Sequence, residues 1–394
     1  MCRTCRNPDA MFVIGLMSGT SADGVDAVLV RLQGRPDRPD WRLIERASLP
    51  YPPELRQRIL AVGQGIPHAA GELLDLAEAI TACQAEAALA CDPQRRASLI
   101  GCHGQTVWHR PPSATANGSQ TPGASWQMLL APALAQRLER SVVHDFRAAD
   151  LACGGQGAPL VPMADAALLG RIDGWRALLN LGGIANLTLI PPRFGPDRDA
   201  EVLGWDCGPA NSLIDLAVEH FSGGSEHFDA DGRHAAAGQV EEAAIQRWLQ
   251  EDYFRQPAPK STGREVFGQA DLQRRLGELT HLQPDDCIAT LTAFTAAVVA
   301  ADLERGASQG RPRPLELVVA GGGGRNPVLM RELRQRCRGI RVDRSDSLSL
   351  PVESREAVVF ALLAWWHWQR HQGNAPAVTG ASRRVVLGQR AEPA

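Results

Sequence analysis

Lysine is almost missing from this chain. Of 41 basic residues among 394, only Lys260 is a lysine and the rest are arginine. Charge of either sign is not in excess: the net charge is −3, without the basic surplus that marks nucleic-acid binding. No apolar run approaches the roughly 20 residues of a membrane span. The opening MCRTCRNPDA has no apolar signal-peptide core. We therefore expect a cytoplasmic protein with neither nucleic acid nor membrane as partner. The nine cysteines are odd in number and scattered, which favours reduced thiols over a disulfide framework. Cys2 and Cys5 form a lone CxxC without the second pair that a zinc site needs. Residues 1–10 read as a disordered extension.

Two nucleotide signatures are absent as well. No GxxxxGKS or GxxxxGKT occurs, which excludes a P-loop NTPase. No GxGxxG follows a first strand, which disfavours a dinucleotide-binding half.

What is present is an ordinary globular composition, 44% hydrophobic and 22% charged. Residues 12–17, 25–32 and 41–49 read as strands, 53–63 and 71–91 as helices, and 98–104 and 141–146 as buried strands. The second half repeats this plan. Residues 176–190 read as strand, Gly-bearing turn, strand, and 201–221 as strand, Gly-Pro turn, helix. Helices are expected at 234–252, 270–279 and 284–307. Residues 315–336 read as strand, Gly run, helix, followed by a strand at 340–343 and a helix at 355–368. The alternation predicts a mixed α/β sheet in each of two domains, 11–172 and 173–394, with the last ~20 residues able to return to the first. A duplicated α/β pair is expected to hold its ligand in a cleft between domains.

Polar, Gly-bearing turns interrupt the strands at three places. In SGTSADG (18–24), Gly19 and Gly24 suit positive φ and close approach to a ligand, and Ser18, Thr20 and Ser21 add hydroxyls. Successive amides in such a turn can form an anion nest. Asp23 and Asp26 would repel phosphate but could reach it through water and Mg²⁺. An ordinary hairpin turn accounts for the same residues. The second turn, LGGIAN (181–186), offers Gly182, Gly183 and Asn186. The third cluster, Gly321, Gly322, Gly323 and Gly324, lies between an apolar strand and a helix, where backbone approaches a nucleotide closely.

The chain resembles the anhydro-N-acetylmuramic acid kinases, within the actin-like ATPase and sugar kinase superfamily. The motifs carrying this are GLMSGTSADGVDAVLV (15–30), GCHGQTVWH (101–109), HDFRAADLACGGQGAPLVP (144–162), LNLGGIANLT (179–188), WDCGPANSLID (205–215), FDADGRHAAAGQV (228–240), PKSTGREVF (259–267), VVAGGGGRNPVLM (318–330) and GNAPAVTGA (373–381). They run in order through nearly the whole chain. Leu129 and Leu130 after Gln127, and Ala148 and Ala149 after Arg147, depart from the family's pattern.

The resemblance implies a two-domain actin-like fold and a homodimer. It implies ATP-dependent phosphorylation of 1,6-anhydro-N-acetylmuramic acid at O6, with water opening the anhydro bridge, in cell-wall sugar recycling. ATP would lie on the first turn, from Gly19, Thr20, Ser21, Ala22, Asp23 and Gly24 to Val25 and Asp26, on Gly182, Gly183 and Asn186, and on Gly321–Gly323. Asp206, in GWDCGPAN, matches the family's general base; on sequence alone an Asp at a helix N-terminus reads as well. Thr106, Arg147, Asp150 and Gln156 are the candidate sugar contacts, although Arg147 could equally pair with a nearby Asp. His103 reads as a satisfied structural residue, and Lys260 and Arg264 as solvated loop charges or a mobile flap. Trp365, Trp366 and Trp368 fall on a helical pattern and read as core or interface. A kinase of another amino sugar, or an ATP-binding switch without chemistry, remain as alternatives.

Overall fold

The computed structural model describes residues 10–114, 120–258, 260–263, 266–348, 350–351 and 354–394. The expected extension with Cys2 and Cys5, and Arg264 in the loop, lie outside the described residues. The chain forms two compact units: Met1–Leu169 with Glu353–Ala394, and Gly170–Val352.

Strand alternation builds the first unit. Its sheet runs Gln389–Ala391, Ser141–His144, Leu99–Arg110, Met11–Ser18, Gly24–Arg35, Arg38–Pro50, with Ala124–Met128 added on Leu99–Arg110. Side chains alternate between faces along each strand. Ile14, Leu16, Val25, Ala27 and Leu29 point into one core with Leu76 and Ile80 of the helix Ala70–Cys91. The other face is unusual. Gly15 and Gly101 sit side by side on neighbouring parallel strands. A Cβ on Gly15 would lie 1.9 Å from the Ala357 carbonyl oxygen, and one on Gly101 would lie 2.2 Å from that of Phe360. The backbone of the helix Arg355–Trp368 therefore rests directly on the sheet at this glycine pair. That helix was expected in the second domain, so more of the tail belongs to the first unit than the last ~20 residues.

Inside the same unit Arg355 donates to both oxygens of the fully buried Asp165. Trp365 and Trp366 are buried, and Trp366 Nε1 donates to the Pro36 carbonyl at 2.8 Å. Trp368 is exposed.

The second unit repeats the plan. Its sheet runs Leu203–Pro209, Ile184–Ile190, Arg176–Leu181, Glu316–Ala320, Arg341–Arg344. Counting strands in chain order, and setting aside Ala124–Met128 and the strand that the tail adds to the first unit, both sheets read 3-2-1-4-5. In each, strands 1–3 are antiparallel and strands 1, 4 and 5 are parallel. Its core helix, Pro284–Ser308, starts with Pro at the first position and Asp285 and Asp286 in the first turn, residues that suit a helix N-terminus. It is long and apolar enough to cross a membrane, unlike the reading that no segment is, but 89% of its apolar window is buried inside this unit.

The helix expected over 234–252 is three short pieces, Arg233–Ala237, Glu242–Trp248 and Asp252–Arg255. Gly238 explains the first break. A Cβ there would lie 2.0 Å from the Asp285 carbonyl oxygen, so the chain passes edge-on against the start of the core helix and cannot coil.

Candidate active site

In the first unit the turn after Met11–Ser18 is braced from the next strand. Ser18 Oγ lies 2.5 Å from Gln105 Oε1 and 2.8 Å from the Gly24 carbonyl, two acceptors that share its single proton. Gln105 Nε2 donates to the Gly19 carbonyl at 3.0 Å. This explains the HGQT motif: Gln105 is fully buried and fixes the turn's shape. The turn closes with Ala22 N–H donating to the Gly19 carbonyl at 3.1 Å. Positive φ was expected of Gly19 and Gly24, but the left-handed residue is Ala22, at φ 52°. Gly24 is small for another reason: a Cβ would meet the Leu49 carbonyl oxygen at 2.3 Å. Gly19 is open, with its nearest neighbour, Ser21 Oγ, at 3.7 Å. Thr20 and Ser21 are exposed. Ala22 and Val25 bury their side chains in the core, so of these two only backbone can meet a ligand.

Asp23 is 74% exposed and its Oδ1 lies 3.2 Å from Arg56 Nη2, a surface pair of little energetic weight. Asp26 is half-buried at the turn's exit. No group of three or more His, Cys, Asp or Glu that could hold a metal occurs among the described residues. The donor set fits Mg²⁺, which keeps its waters and takes one or two carboxylates, better than a caged ion.

The candidate sugar contacts belong to the same unit. Thr106 is half-buried, and its Oγ1 accepts from Gln127 Nε2 at 3.2 Å. Arg147 does not pair with a nearby Asp. Its Nη1 donates to the Gly157 carbonyl at 2.7 Å and its Nη2 to His103 Nε2 at 3.0 Å. His103 is buried; burial and the neighbouring Arg147 push its pKa down to about 3, so it stays neutral. Asp150 was expected to touch sugar, but it is wholly buried. Its Oδ1 accepts from Asn374 Nδ2 and Thr379 Oγ1, both at 2.8 Å, and its Oδ2 from Gly157 N–H at 2.9 Å. It frames the loop on which Gln156 is exposed. Leu129 and Leu130 pack against the core, and Leu130 N–H donates to Thr81 Oγ1 at 3.0 Å.

Glu356, in the first turn of the helix Arg355–Trp368, has its carboxyl pushed up by desolvation, with Arg355 and Arg147 opposing.

In the second unit, Asp206 lies directly across from Asn186 in the antiparallel ladder. The register shifts immediately beyond, leaving Cys207 as a bulge. The strand continues through Gly208 and Pro209, and the helix begins only at Asn211, so Asp206 caps nothing. Its carboxylate is gripped by three donors. Asn186 Nδ2 reaches Oδ1 at 2.7 Å; Ser261 Oγ and Thr262 N–H reach Oδ2 at 2.9 and 3.0 Å. Lys260 is not a solvated loop charge: it is 9% exposed, with Nζ 3.0 Å from Asp302 Oδ1.

The second turn is latched to the following helix. Asn211 N–H donates to the Gly182 carbonyl at 3.0 Å, and Ala210 and Ser212 N–H to that of Gly183 at 2.9 and 3.1 Å. A Cβ on Gly182 would find no atom closer than the Ile184 carbonyl oxygen at 4.0 Å, so nothing inside the protein requires glycine there. The third cluster differs. Gly321 has φ 84°, and a Cβ on it would meet the Leu181 carbonyl oxygen at 2.6 Å. On Gly323 a Cβ would meet Leu181 Cβ at 2.8 Å. The next helix, Pro327–Arg336, has two of its first amides, those of Val328 and Leu329, held by Asn326 Oδ1. What this loop offers a ligand is the bare backbone of exposed Gly322. Gly322 and Gly323 line an open cavity of about 580 Å³ together with Asn211, Phe228, Asp229 and Asp231. The FDADG motif thus builds a wall that sequence reasoning left without a role.

Two sheets of one strand order, each with polar turns at its strand ends, define a duplicated mixed α/β protein, and the family match makes it a kinase. The family described as anhydro-N-acetylmuramic acid kinase matches residues 11–392. The chain is 64% identical over 384 residues to the anhydro-N-acetylmuramic acid kinase of Parasynechococcus marenigrum (strain WH8102), covering 98% of this chain and 100% of that protein. It is 65% identical over the same shares to that of Synechococcus sp. (strain CC9605). Among solved structures, xylulose kinase from Rhodospirillum rubrum is similar over 98% of this chain and 94% of its own, at 14% identity and TM-score 0.45. The chain belongs to the anhydro-N-acetylmuramic acid kinase family.

Proposed function

We propose that this protein uses ATP to phosphorylate 1,6-anhydro-N-acetylmuramic acid at O6 while water adds at C1, giving N-acetylmuramic acid 6-phosphate and ADP. The observation that carries the reading is Asp206. It is a half-buried carboxylate fixed by three donors at a bulge, in a chain about two-thirds identical throughout to kinases of that name.

Asp206 takes a proton from water as the water oxygen bonds to C1. The C1–O6 bond breaks, and O6 takes the electron pair and attacks the γ-phosphorus, releasing ADP. The proton on Asp206 then passes to solvent. A general base needs a hydrogen bond of about 2.6–3.2 Å to its proton source, and the three donors hold the carboxylate still for that contact. Holding the reactants together can supply on the order of 7–11 kcal/mol of the barrier reduction.

The first and second turns hold the phosphates, through Gly19, Thr20, Ser21 and the open edge of Gly182, and the Gly322 cavity holds the nucleoside. Asp23 and Asp26 would hold Mg²⁺ through water; bound there, it neutralises charge on the phosphate oxygens. Thr106, Gln156 and the outer part of the Arg147 guanidinium contact the sugar, while Asp150 supports their loop. The reading includes a cytoplasmic homodimer in cell-wall sugar recycling, which light scattering and fractionation test.

The deciding experiment incubates the enzyme with ATP and the anhydro sugar in isotopically labelled water. Label on C1 and phosphate on O6 are expected in one product. Unlabelled product, or ADP release indifferent to the sugar, refutes the reading.

A further inference from the structure

The lysine that stands alone among 41 basic residues is buried directly behind Asp206. Its Nζ lies 3.0 Å from Asp302 Oδ1, 3.3 Å from the Tyr253 carbonyl and 4.8 Å from the centre of the Tyr253 ring. Asp302 is shared: Arg305 Nη1 donates to its Oδ1 at 3.1 Å and Trp205 Nε1 to its Oδ2 at 3.2 Å. Arginine would fit poorly at 260. Its planar fork carries five donors and wants two carboxylate oxygens, and both oxygens of Asp302 already have partners. A compact ammonium, with three donors and a ring face beneath it, suits the space.

Two paths lead from this pair to Asp206. The Lys260 carbonyl accepts from Asp206 N–H at 2.9 Å, and the next two residues supply Ser261 Oγ and Thr262 N–H to Asp206 Oδ2. Tyr253, whose carbonyl and ring face Lys260, donates its hydroxyl to the Asp206 carbonyl at 2.8 Å. One ion pair thus fixes both the backbone of Asp206 and two of the three donors on its carboxylate.

We propose that the Lys260–Asp302 pair is a positioning device for the reaction, locking the 260–262 segment so that Ser261 and Thr262 aim Asp206 at its water. The inference rests on Asp206 being the base. Lys260 and Ser261 touch no reacting atom in this scheme and act through Asp206.

Ser261→Ala is the cleanest test, because Ser261 is exposed and its loss opens no core. It should lower kcat about tenfold, as expected for one hydrogen bond to a charged group. It should also move the acidic limb of the kcat/KM pH profile to higher pH, with nucleotide Kd unchanged. Lys260→Met should lower kcat further and move the limb the same way. Lys260→Arg should resemble Lys260→Met rather than the wild type. Wild-type kcat and pH profile in Ser261→Ala overturn the proposal. So does a Lys260→Met enzyme whose kcat loss comes with equal loss of nucleotide affinity and no movement of the limb, since that is plain structural damage. Asp206→Asn separates the two ideas. If it is inactive while Ser261→Ala and Lys260→Met behave as wild type, only the positioning proposal fails; if Asp206→Asn turns over normally, the base assignment fails first.

Discussion

Gly182 and Gly24 look alike in the sequence but differ in what surrounds them. Gly24 is forced by the Leu49 backbone, whereas Gly182 faces open space. Gly182→Ala should therefore leave the melting temperature unchanged and weaken ATP binding about tenfold, or about 1.4 kcal/mol, measured by calorimetry. Undiminished affinity would remove this turn from the ATP site. Asp206→Asn should abolish turnover in a coupled assay while ATP still binds. Asp206 could be singled out as a candidate because its motif is contiguous. The place of Lys260 was not legible: its partner Asp302 lies 42 residues on, and sequence shows a loop charge but not the buried acid opposite it. Asp150 misled for the same reason, since its donors Asn374 and Thr379 come from the far end of the chain.

Strands were the most readable elements, because β-branched runs sit between turn residues, although Ala124–Met128 and Gln389–Ala391 of the first sheet were not foreseen. The stretch over 234–252 was not readable, because the obstruction at Gly238 comes from another helix. This region also holds a titrating bridge. His234 Nδ1 lies 2.7 Å from Asp285 and Nε2 3.1 Å from Glu226, and these carboxylates raise its pKa above the usual value of about 6.5. With a raised folded pKa, the bridge's stability is fully present below about pH 6.5 and is lost as pH climbs through the higher value. The melting-temperature gap between wild type and His234→Gln should be widest near pH 6 and close on the alkaline side. On the first sheet, Gly101→Ala should push the helix Arg355–Trp368 off its seat, at a cost of about 3 kcal/mol in urea unfolding.

The duplicated plan was visible in the sequence, but the return of Glu353–Ala394 was underestimated, because an apolar helix carries no address for the sheet it will cover. Arg355 supplies one, through its buried pair with Asp165. Arg355→Met strands that acid, and should destabilise the first unit by about 3–5 kcal/mol in chemical denaturation. The second unit is continuous in sequence and the first is not. During synthesis, Gly170–Val352 can finish folding as soon as it leaves the ribosome. The earlier-made sheet must wait, its glycine-floored trough bare, until the last segment arrives to fill it. A message cut short after residue 352 would yield a half-molecule with a finished late domain and an early one still exposing that trough, a natural client for chaperones.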